Sequence, residues 1–448
     1  MADARAAALA ALLHVDENEG FSNLVLDKTL ARFALEPRDA ALASAIFYGV
    51  LERRLTLDYY IGQFARTPIH KMTPQVREIL RIGAYQILYL EKIPPSAAVN
   101  VAVELAKQNK AVKASGFINA VLRNLVRNRE KLQLPDEKKN PLRHLSLKYS
   151  CPEWLISLWQ KAYGPQCTGL LLDSLSEHPP IYIRLNNTKG DEEYLLRRMM
   201  EENVKVNPIT QISHTAVLEA SGSVPSLRSF QEGLFHVQDL SSQLCATLLE
   251  AKPGERVLDV CAAPGGKTFT IAEQMENSGE VLAFDQYKGK VRLIREGAKR
   301  LGLTCIHAEL RDALRPEKPL ECADRVLCDA PCSGLGILRR KPEIRYKSPS
   351  ALDSLPDLQY RILSKTSELV KSGGVLLYST CTLNPAENGE VARRFLEEHP
   401  DFAPRALHLP QGMRRAIEEP ENEWTLMPCA WDGRFLRRFL PAPVTKDG

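Results

Sequence analysis

Apolar residues recur at helical spacing through the first third of the chain. Positions 76, 79, 80, 83, 84, 87 and 88 are apolar or small and follow the i, i+3, i+4, i+7 pattern of one helix face. The Pro-Pro-Ser stretch at 94–96 ends this pattern, and another helix is predicted from Ala97. A second stripe at 117, 121, 122 and 125 has arginines at 123, 127 and 129 on or near its opposite side. We therefore predict an all-α domain over residues 1–135.

The pattern changes after a charged segment with two prolines at 134–141, which is typical of an exposed linker. Between 145 and 235, helices are predicted at 153–163 and 192–202, and extended segments at 181–185 and 216–219. This mixture indicates a small α+β module, which we interpret as RRM-like.

From 236 to 442, short apolar strands alternate with helices, the pattern of a parallel, Rossmann-like α/β sheet. Strands are predicted at 256–260, 281–285, 304–308, 325–329 and 375–379. Ligands bind such sheets beyond the carboxyl ends of the strands. We therefore expect Asp285, Asp329 and the segment around Cys381 to converge.

Composition places the chain among ordinary globular proteins. Its 448 residues suit three domains, and 44% hydrophobic with 25% charged residues is close to the globular average. No apolar run approaches the ~18 residues of a membrane span, and no export signal is visible. The ten cysteines are too few for a disulfide scaffold in a chain of this length, so we predict free thiols and a cytoplasmic protein. They also lack the two CxxC pairs typical of a zinc site, so we predict no metal site. We also expect a monomer.

Positive charge is concentrated in the helical region. Residues 66–131 contain twelve Lys or Arg and four Glu, so 12 − 4 gives a local excess of +8, although the whole chain carries only +4. Such an excess suits a polyanionic partner. The alternative is that these charges only solvate the outer faces of amphipathic helices.

A small-residue turn joins the first strand of the parallel sheet to a helix. Cys261–Gly266 follows the strand, and a helix is predicted from Lys267, so backbone N–H groups at the helix start face a ligand. A phosphate-binding loop would need glycine at 261, which is cysteine, and the Gly-x-Gly-x-x-Gly dinucleotide pattern is missing. A cofactor without phosphate, such as S-adenosyl-methionine, is compatible with this turn. Asp285 then lies near the offset expected for an acid that binds ribose hydroxyls.

Two cysteine motifs follow, Asp329-Ala-Pro-Cys-Ser-Gly334 and Ser379-Thr-Cys-Thr382. Free cysteines are most often simply buried. We accept that interpretation for Cys245, Cys305, Cys322 and Cys328. The Pro, Ser, Gly and Thr neighbours of Cys332 and Cys381 argue against an apolar core, so these two are candidate reactive thiols. Reactivity needs a lowered thiol pKa, and Lys267 is a candidate neighbouring cation.

The two cysteine motifs resemble those of the RNA 5-methylcytosine methyltransferases, the Sun/Nol1/Nop2 family. The resemblance also includes the turn at 259–268, the basic run Arg339-Arg-Lys341 and the stretch Ser379–Glu387. Val237–Ser242 resembles the family's approach to the catalytic domain, and the N-terminal helices are similar to the NusB antitermination factor. The order of domains points to bacterial members that act on small-subunit ribosomal RNA.

The resemblance implies a role for each motif residue. Cys381 would be the nucleophile that adds to carbon 6 of cytosine, Cys332 would help to release the methylated product, and Asp329 would bind the exocyclic amine of the base. Arg339, Arg340 and Lys341 would bind RNA, with Arg345 and Lys347 as further phosphate contacts. The residues implied to contact S-adenosyl-methionine are Cys261, Ala262, Ala263, Pro264, Gly265, Gly266, Lys267, Asp285, Asp312 and Asp329.

Some alternatives stay open at this point. DNA cytosine methyltransferases use the Pro-Cys thiol as nucleophile, which would exchange the roles of Cys332 and Cys381. The expected partner is 16S ribosomal RNA, unassembled or partly assembled; transfer RNA, or a purely RNA-binding role of the helical domain, are alternatives. The motifs Gly433-Arg-Phe-Leu436 and Glu387-Asn-Gly-Glu390 depart from the family habit, and we expect neither to affect the chemistry.

Overall fold

The computed structural model describes residues 4–18, 22–177, 179–209, 212–219, 223–315, 321–410, 413, 415 and 417–427. Contacts divide the chain into two units, 1–177 with 337–349, and 178–336 with 350–448. The segment 337–349 therefore belongs to the helical unit, although it lies between two strands of the parallel sheet in sequence. The three-domain boundaries suggested by the sequence stay a prediction. The motif Gly433–Leu436 lies outside the described residues.

The first unit is helical, and its core includes Leu9, Phe47, Ile79 and Leu122. The helix predicted around residue 80 is confirmed as α5, but the next helix begins at Pro95 rather than at Ala97, because proline fits the first turn of a helix. The last helix is interrupted at Gly164, whose backbone is not helical. The helices are α1 (Ala4–Asn18), α2 (Ser22–Phe33), α3 (Pro37–Glu52), α4 (Arg54–Gly62), α5 (Pro74–Tyr89), α6 (Pro95–Gln108), α7 (Ser115–Arg127), α8 (Pro141–Tyr149) and α9 (Glu153–Ser174).

The second unit begins with an antiparallel sheet in the order β2-β3-β1-β4, formed by four strands among the described residues. These are β1 (Ile181–Leu185), β2 (Lys205–Pro208), β3 (Thr215–Glu219) and β4 (Phe235–Val237), accompanied by α10 (Glu192–Met200) and α11 (Arg228–Gln231). Ile183, Leu195 and Phe235 lie in its core. The small α+β module is thereby confirmed.

A parallel sheet occupies the rest of this unit. Five strands of the described chain follow the order β7-β6-β5-β8-β9, so the strand order reverses beside the central β5. The elements are α12 (Leu240–Leu248), β5 (Arg256–Asp259), α13 (Gly266–Gln274), β6 (Glu280–Asp285), α14 (Lys288–Leu301), β7 (Ile306–Leu310), β8 (Ala323–Asp329), α15 (Leu355–Ser367), β9 (Val370–Ser379) and α16 (Gly389–Glu398). The predicted Rossmann-like fold is confirmed; the strand expected at 304–308 begins two residues later.

Polar contacts join the antiparallel sheet to the parallel one. Arg184 of β1 forms a buried ion pair with Glu273 of α13, with Nε 2.7 Å from Oε2. The Asn186 side chain donates to the carbonyl oxygens of Gly233 and Leu301, at 2.9 Å each. Buried charges and amides need such partners. The Arg184 pair attaches the antiparallel sheet to α13, and Asn186 attaches it to the end of α14.

Within the described part of the chain, none of the helices has the length and apolar character to cross a lipid bilayer.

Candidate active site

The glycine turn lies at the carboxyl end of β5. Ala262 N–H donates to Phe284 O of the neighbouring strand at 2.8 Å, and Gly265 N–H donates to Ala262 O at the same distance. Gly265 has φ 110°, and a Cβ there would lie 2.5 Å from the ring of Phe269. Glycine is therefore required at 265 for both backbone conformation and space. The turn leads directly into α13, whose first N–H groups lie at the sheet edge.

Two carboxylates lie at the ends of β5 and β6. Asp259 is buried and accepts a hydrogen bond from Thr268 Oγ1 at 2.7 Å, and burial raises the pKa of Asp259 to about 7. Asp285 is also buried; its Oδ1 accepts from Tyr287 N–H at 3.0 Å. The predicted convergence at this edge therefore includes Asp259 as well as Asp285.

Asp312 follows β7, the next strand outward. Its side chain is half-buried, and Oδ1 accepts a hydrogen bond from Leu314 N–H at 3.0 Å. This is an ordinary turn contact of aspartate. Asp312 therefore follows the carboxyl end of β7, the strand beside β6, which ends at Asp285. Its role in binding the cofactor stays a prediction.

Lys267 and Asp329 form an ion pair between α13 and the end of β8, with Nζ 2.7 Å from Oδ2. Ser379 Oγ donates to the other oxygen of Asp329 at 2.7 Å. Burial lowers the pKa of Lys267, but the nearby charge of Asp329 outweighs it and raises the pKa above its ordinary value. The sequence suggested Lys267 as the cation that activates a thiol; in the structure its ammonium binds Asp329 instead.

The two motif cysteines are brought together by neighbouring strands. Strands β8 and β9 are parallel, with Asp329 opposite Ser379, so the loops that carry Cys332 and Cys381 leave the same sheet edge. The two Sγ atoms lie 3.2 Å apart, and Cys381 N–H donates to Cys332 Sγ at 3.3 Å. Gly336 N–H also donates to Cys381 O at 3.0 Å. The two candidate reactive thiols therefore lie side by side in the fold.

The two thiols differ in their environment. Cys381 is exposed, whereas Cys332 is partly covered. The hydrogen bond to Cys381, followed by burial, raises the pKa of Cys332 well above its ordinary value. The raised pKa makes Cys332 hard to ionise, and Cys381 is the thiol exposed to solvent.

The other cysteines fit the packing interpretation. Cys305 and Cys328 are buried in the two apolar layers of the parallel sheet, and Cys245 and Cys322 pack against them. Burial raises the pKa of Cys245 to about 11. A thiol with so high a pKa is a poor nucleophile near neutral pH.

Glu387, to which sequence reasoning gave no part in the chemistry, lies next to both cysteine loops. It is fully buried and accepts a hydrogen bond from Ser333 N–H at 2.8 Å, directly after Cys332. It also accepts from Asn384 Nδ2 at 2.9 Å, three residues after Cys381. The sequence led us to expect no part for this motif in the chemistry, and the structure places Glu387 beside both cysteine loops. Glu387 ends one of the motifs that resemble the family, but its contacts with Ser333 and Gln359 could not be predicted, because these partners are distant in the chain.

The basic segment after the Cys332 loop divides into two parts. Arg339, Arg340 and Lys341 are half-buried, and Lys347 is exposed. Arg345 is buried instead, and its guanidinium donates to the carbonyl oxygens of residues 52, 149 and 150 at 3.2–3.4 Å. The prediction that Arg345 contacts phosphate was wrong, because the side chain is buried and its Nη1 and Nη2 donate inside the helical unit.

Similarity to known proteins is extensive. A Bacillus subtilis protein named probable ribosomal RNA small subunit methyltransferase B is 41% identical over 444 residues, covering 98% of this chain and 96% of its own length. The chain belongs to the RsmB/F family of 16S rRNA methyltransferases. The family's own sequence profile, 16S rRNA methyltransferase RsmB/F, matches residues 246–448. A probable small subunit methyltransferase B of Synechocystis is 36% identical, covering 99% of this chain and all of its own length.

Profiles also match the two N-terminal parts of this RsmB/F family member. The NusB family matches residues 2–127, and the ferredoxin-like domain of RsmF/B-like methyltransferases matches 151–225. The crystal structure of PH0851 has a TM-score of 0.80 at 26% identity, covering 95% of this chain and 96% of its own. The predicted resemblance and the predicted fold class are confirmed.

Proposed function

We propose that the protein methylates carbon 5 of one specific cytosine in 16S ribosomal RNA, through a covalent adduct of Cys381 at carbon 6, with S-adenosyl-methionine as donor. The observation that carries this proposal is the pair of thiols 3.2 Å apart, one exposed and one partly covered. Carbon 5 of cytosine is a poor nucleophile, and a thiolate added at carbon 6 makes it enamine-like. A second group that handles the carbon 5 proton is then useful.

The residues at the sheet edge fit S-adenosyl-methionine. The turn contains one cation, Lys267, and its ammonium is engaged by Asp329, which suits a cofactor without phosphate. Gly266 leaves the backbone open to close approach, because even a Cβ there would meet nothing nearer than Gln238 at 3.5 Å. Asp285 can accept hydrogen bonds from ribose hydroxyls. We propose that residues 261–267, Asp285, Asp312 and Asp329 hold the cofactor, which supplies an electrophilic methyl group.

Asp329 is suited to orient the base. Its two oxygens already accept from Lys267 and Ser379, but an ionised carboxylate has about four acceptor sites. A cytosine amine can occupy one of those left. Because Asp329 is held from two sides, its carboxylate is preorganised for this contact.

The two cysteines act in sequence. The Cys381 thiolate attacks carbon 6, and the electron pair of the 5,6 double bond moves to carbon 5. Carbon 5 would then use this pair to bond to the methyl group that the donor supplies, and the electron pair of the broken S–CH3 bond would stay on the sulfur of the donor. Once Cys381 is a neutral thioether, the hydrogen bond and charge that raise the pKa of Cys332 are lost, so Cys332 gives up its proton to solvent more readily. Its thiolate then accepts the carbon 5 proton of the methylated adduct. The released electron pair restores the double bond and expels Cys381 as thiolate.

RNA recognition is proposed for the positive surface of the helical unit and for Arg339, Arg340 and Lys341. The ribosomal target rests on the named relatives, which are small subunit rRNA methyltransferases. Phosphate contacts of this kind position the substrate, and a target base in a duplex must be flipped out to reach the thiols.

Bisulfite mapping of cellular RNA from a strain lacking this gene tests the proposal. We expect protection to disappear at one 16S cytosine, and to return when the wild-type gene is restored. If protection disappears at a transfer RNA cytosine instead, the substrate is transfer RNA and the proposed chemistry is unchanged. Unchanged protection in all RNA would contradict the enzymatic proposal.

A further inference from the structure

Glu387 is a fully buried carboxylate at the centre of the two cysteine loops. Its Oε1 accepts from Ser333 Oγ and from Asn384 Nδ2, and its Oε2 accepts from Ser333 N–H and from Gln359 Nε2. The two nitrogen contacts of Oε2 are 2.8 and 2.9 Å long. Four donors thus reach one side chain, which fits the acceptor capacity of an ionised carboxylate and of no other side chain of this shape.

Hydrogen bonds connect Glu387 to the residues on both sides of Cys332. Ser333 follows Cys332 directly, and Gln359 of α15 uses its other hydrogen to bind Pro331 O, at 3.0 Å, directly before Cys332. Glu387 and Gln359 therefore hold the backbone on either side of this thiol.

A second link reaches the Cys381 loop. Ser333 Oγ and Thr382 Oγ1 lie 2.6 Å apart, and Thr382 directly follows Cys381. Because the Ser333 hydroxyl donates to Glu387, the Thr382 hydroxyl donates to Ser333. The residue after each cysteine is thus bonded to the residue after the other, and Glu387 orients that bond.

We propose that Glu387 is a positioning residue that sets the separation of Cys332 and Cys381, acting through Ser333, Thr382 and Asn384. The inference deepens the proposed function and rests on it for the catalytic consequence, but the geometric part concerns the two thiols alone. Its carboxylate touches no reacting atom. It acts by fixing the relative position of the two loops that follow β8 and β9. This position matters because a displacement of about 1 Å can lower the rate on the order of 10²-fold.

Glu387→Gln is the sharpest change, because it keeps the shape and replaces one acceptor oxygen by an NH₂ group. That group faces donors on either side, so at least one contact becomes donor against donor. Glu387→Asp keeps the charge but is one methylene shorter. Thr382→Val is milder, because it removes only the hydroxyl that links the two loops.

Phenylarsine oxide provides a readout that does not depend on RNA or donor. Its arsenic(III) condenses with two thiols to form two As–S bonds and one water, without any change of oxidation state. We expect the full-length wild-type protein to bind it through Cys332 and Cys381, and either cysteine→Ala variant to lose that binding. Glu387→Gln should weaken binding at least tenfold, Thr382→Val less so, and Glu387→Asp to an intermediate degree.

Glu273→Gln is the matched control, since Glu273 is equally buried in the same unit but pairs with Arg184, away from both cysteine loops. It should lower stability without changing arsenical affinity. In methylation assays, Glu387→Gln should reduce kcat by about 10²-fold and leave the KM for S-adenosyl-methionine nearly unchanged. Wild-type arsenical affinity in folded Glu387→Gln, or an equal loss in Glu273→Gln, would overturn the positioning role. If Glu387→Gln weakens arsenical binding but the wild-type protein methylates no RNA, the proposed function is rejected and the role of Glu387 in positioning the two thiols is retained.

Discussion

Sγ of Cys332 and Sγ of Cys381 lie 3.2 Å apart, although the two cysteines are 49 positions apart in sequence. The parallel pairing of β8 with β9 places Asp329 opposite Ser379, and each cysteine follows its strand end by three or two residues. Their proximity is therefore a property of the sheet. Their unequal exposure and the raised pKa of Cys332 assign them different tasks in the proposed reaction.

Cys381→Ala should abolish methyl transfer, and Cys332→Ala should leave a covalent protein–RNA adduct. Without Cys332 the carbon 5 proton is not removed, so the thioether to Cys381 persists. A denaturing gel with labelled RNA and donor distinguishes the two variants. Cys305→Ala, at a buried thiol outside the site, serves as control. An adduct that appears with Cys381→Ala and not with Cys332→Ala would mean that the two roles are exchanged.

Asp259→Asn should remove a pH-dependent loss of stability. Burial raises the pKa of Asp259 from 3.8 to about 7, so the folded state binds more protons than the unfolded state between those values. Stability of the wild type should thus fall as pH rises from about 4 to about 7, with a slope of at most about 1.4 kcal/mol per pH unit from this group. The amide that replaces the carboxyl group in this variant cannot ionise, and its oxygen can still accept from Thr268.

Urea unfolding of wild type and Asp259→Asn at several pH values between about 4 and 8 measures that difference. Asp353→Asn, at an exposed position, controls for the change of net charge. A difference in unfolding free energy that stays constant over this range would show that Asp259 does not titrate there.

Arg345→Ala should destabilise the helical unit, whereas Lys347→Ala should weaken RNA binding. Arg345 is buried and donates to backbone carbonyls, so its removal leaves buried acceptors unpaired and should cost about 3 kcal/mol or more. Lys347 is exposed, and losing one phosphate contact reduces the salt slope by about 1. Thermal unfolding and RNA binding at several salt concentrations separate these effects. Reduced RNA affinity of a fully stable Arg345→Ala protein would restore the phosphate-binding interpretation.

Arg127→Ala and Arg129→Ala should lower RNA affinity and leave S-adenosyl-methionine affinity unchanged. Both side chains are exposed near the end of α7, in the region of excess positive charge. Each should reduce the salt slope by about 1. Point variants are preferable to deletion of residues 1–130, because the helical unit also contains residues 337–349 and buries Ile344 and Arg345.

Lys138→Ala, at an exposed position outside residues 66–131, controls for a general loss of charge. If Arg127→Ala, Arg129→Ala and Lys138→Ala all have the same RNA affinity, the positive surface does not bind RNA specifically and its charges only interact with solvent.

Local patterns predicted much of the fold. The helical spacing around residue 80 and the alternation of strands and helices after 236 depend on neighbours close in sequence, and both are confirmed. Boundaries were less well predicted, as Pro95 and the late start of β7 show, because capping and strand pairing decide them.

The sequence by itself determined the kinds of chemistry available to this protein: a glycine turn that excludes a phosphate loop, acids at strand ends, and two thiols in polar motifs. Only the tertiary structure decided that Lys267 binds Asp329, that Arg345 is an internal donor, and that Glu387 joins the two cysteine loops. Each of these is a contact between residues far apart in the chain. Burial and long-range hydrogen bonds, which select one partner among several possible ones, exist only once the strands have paired.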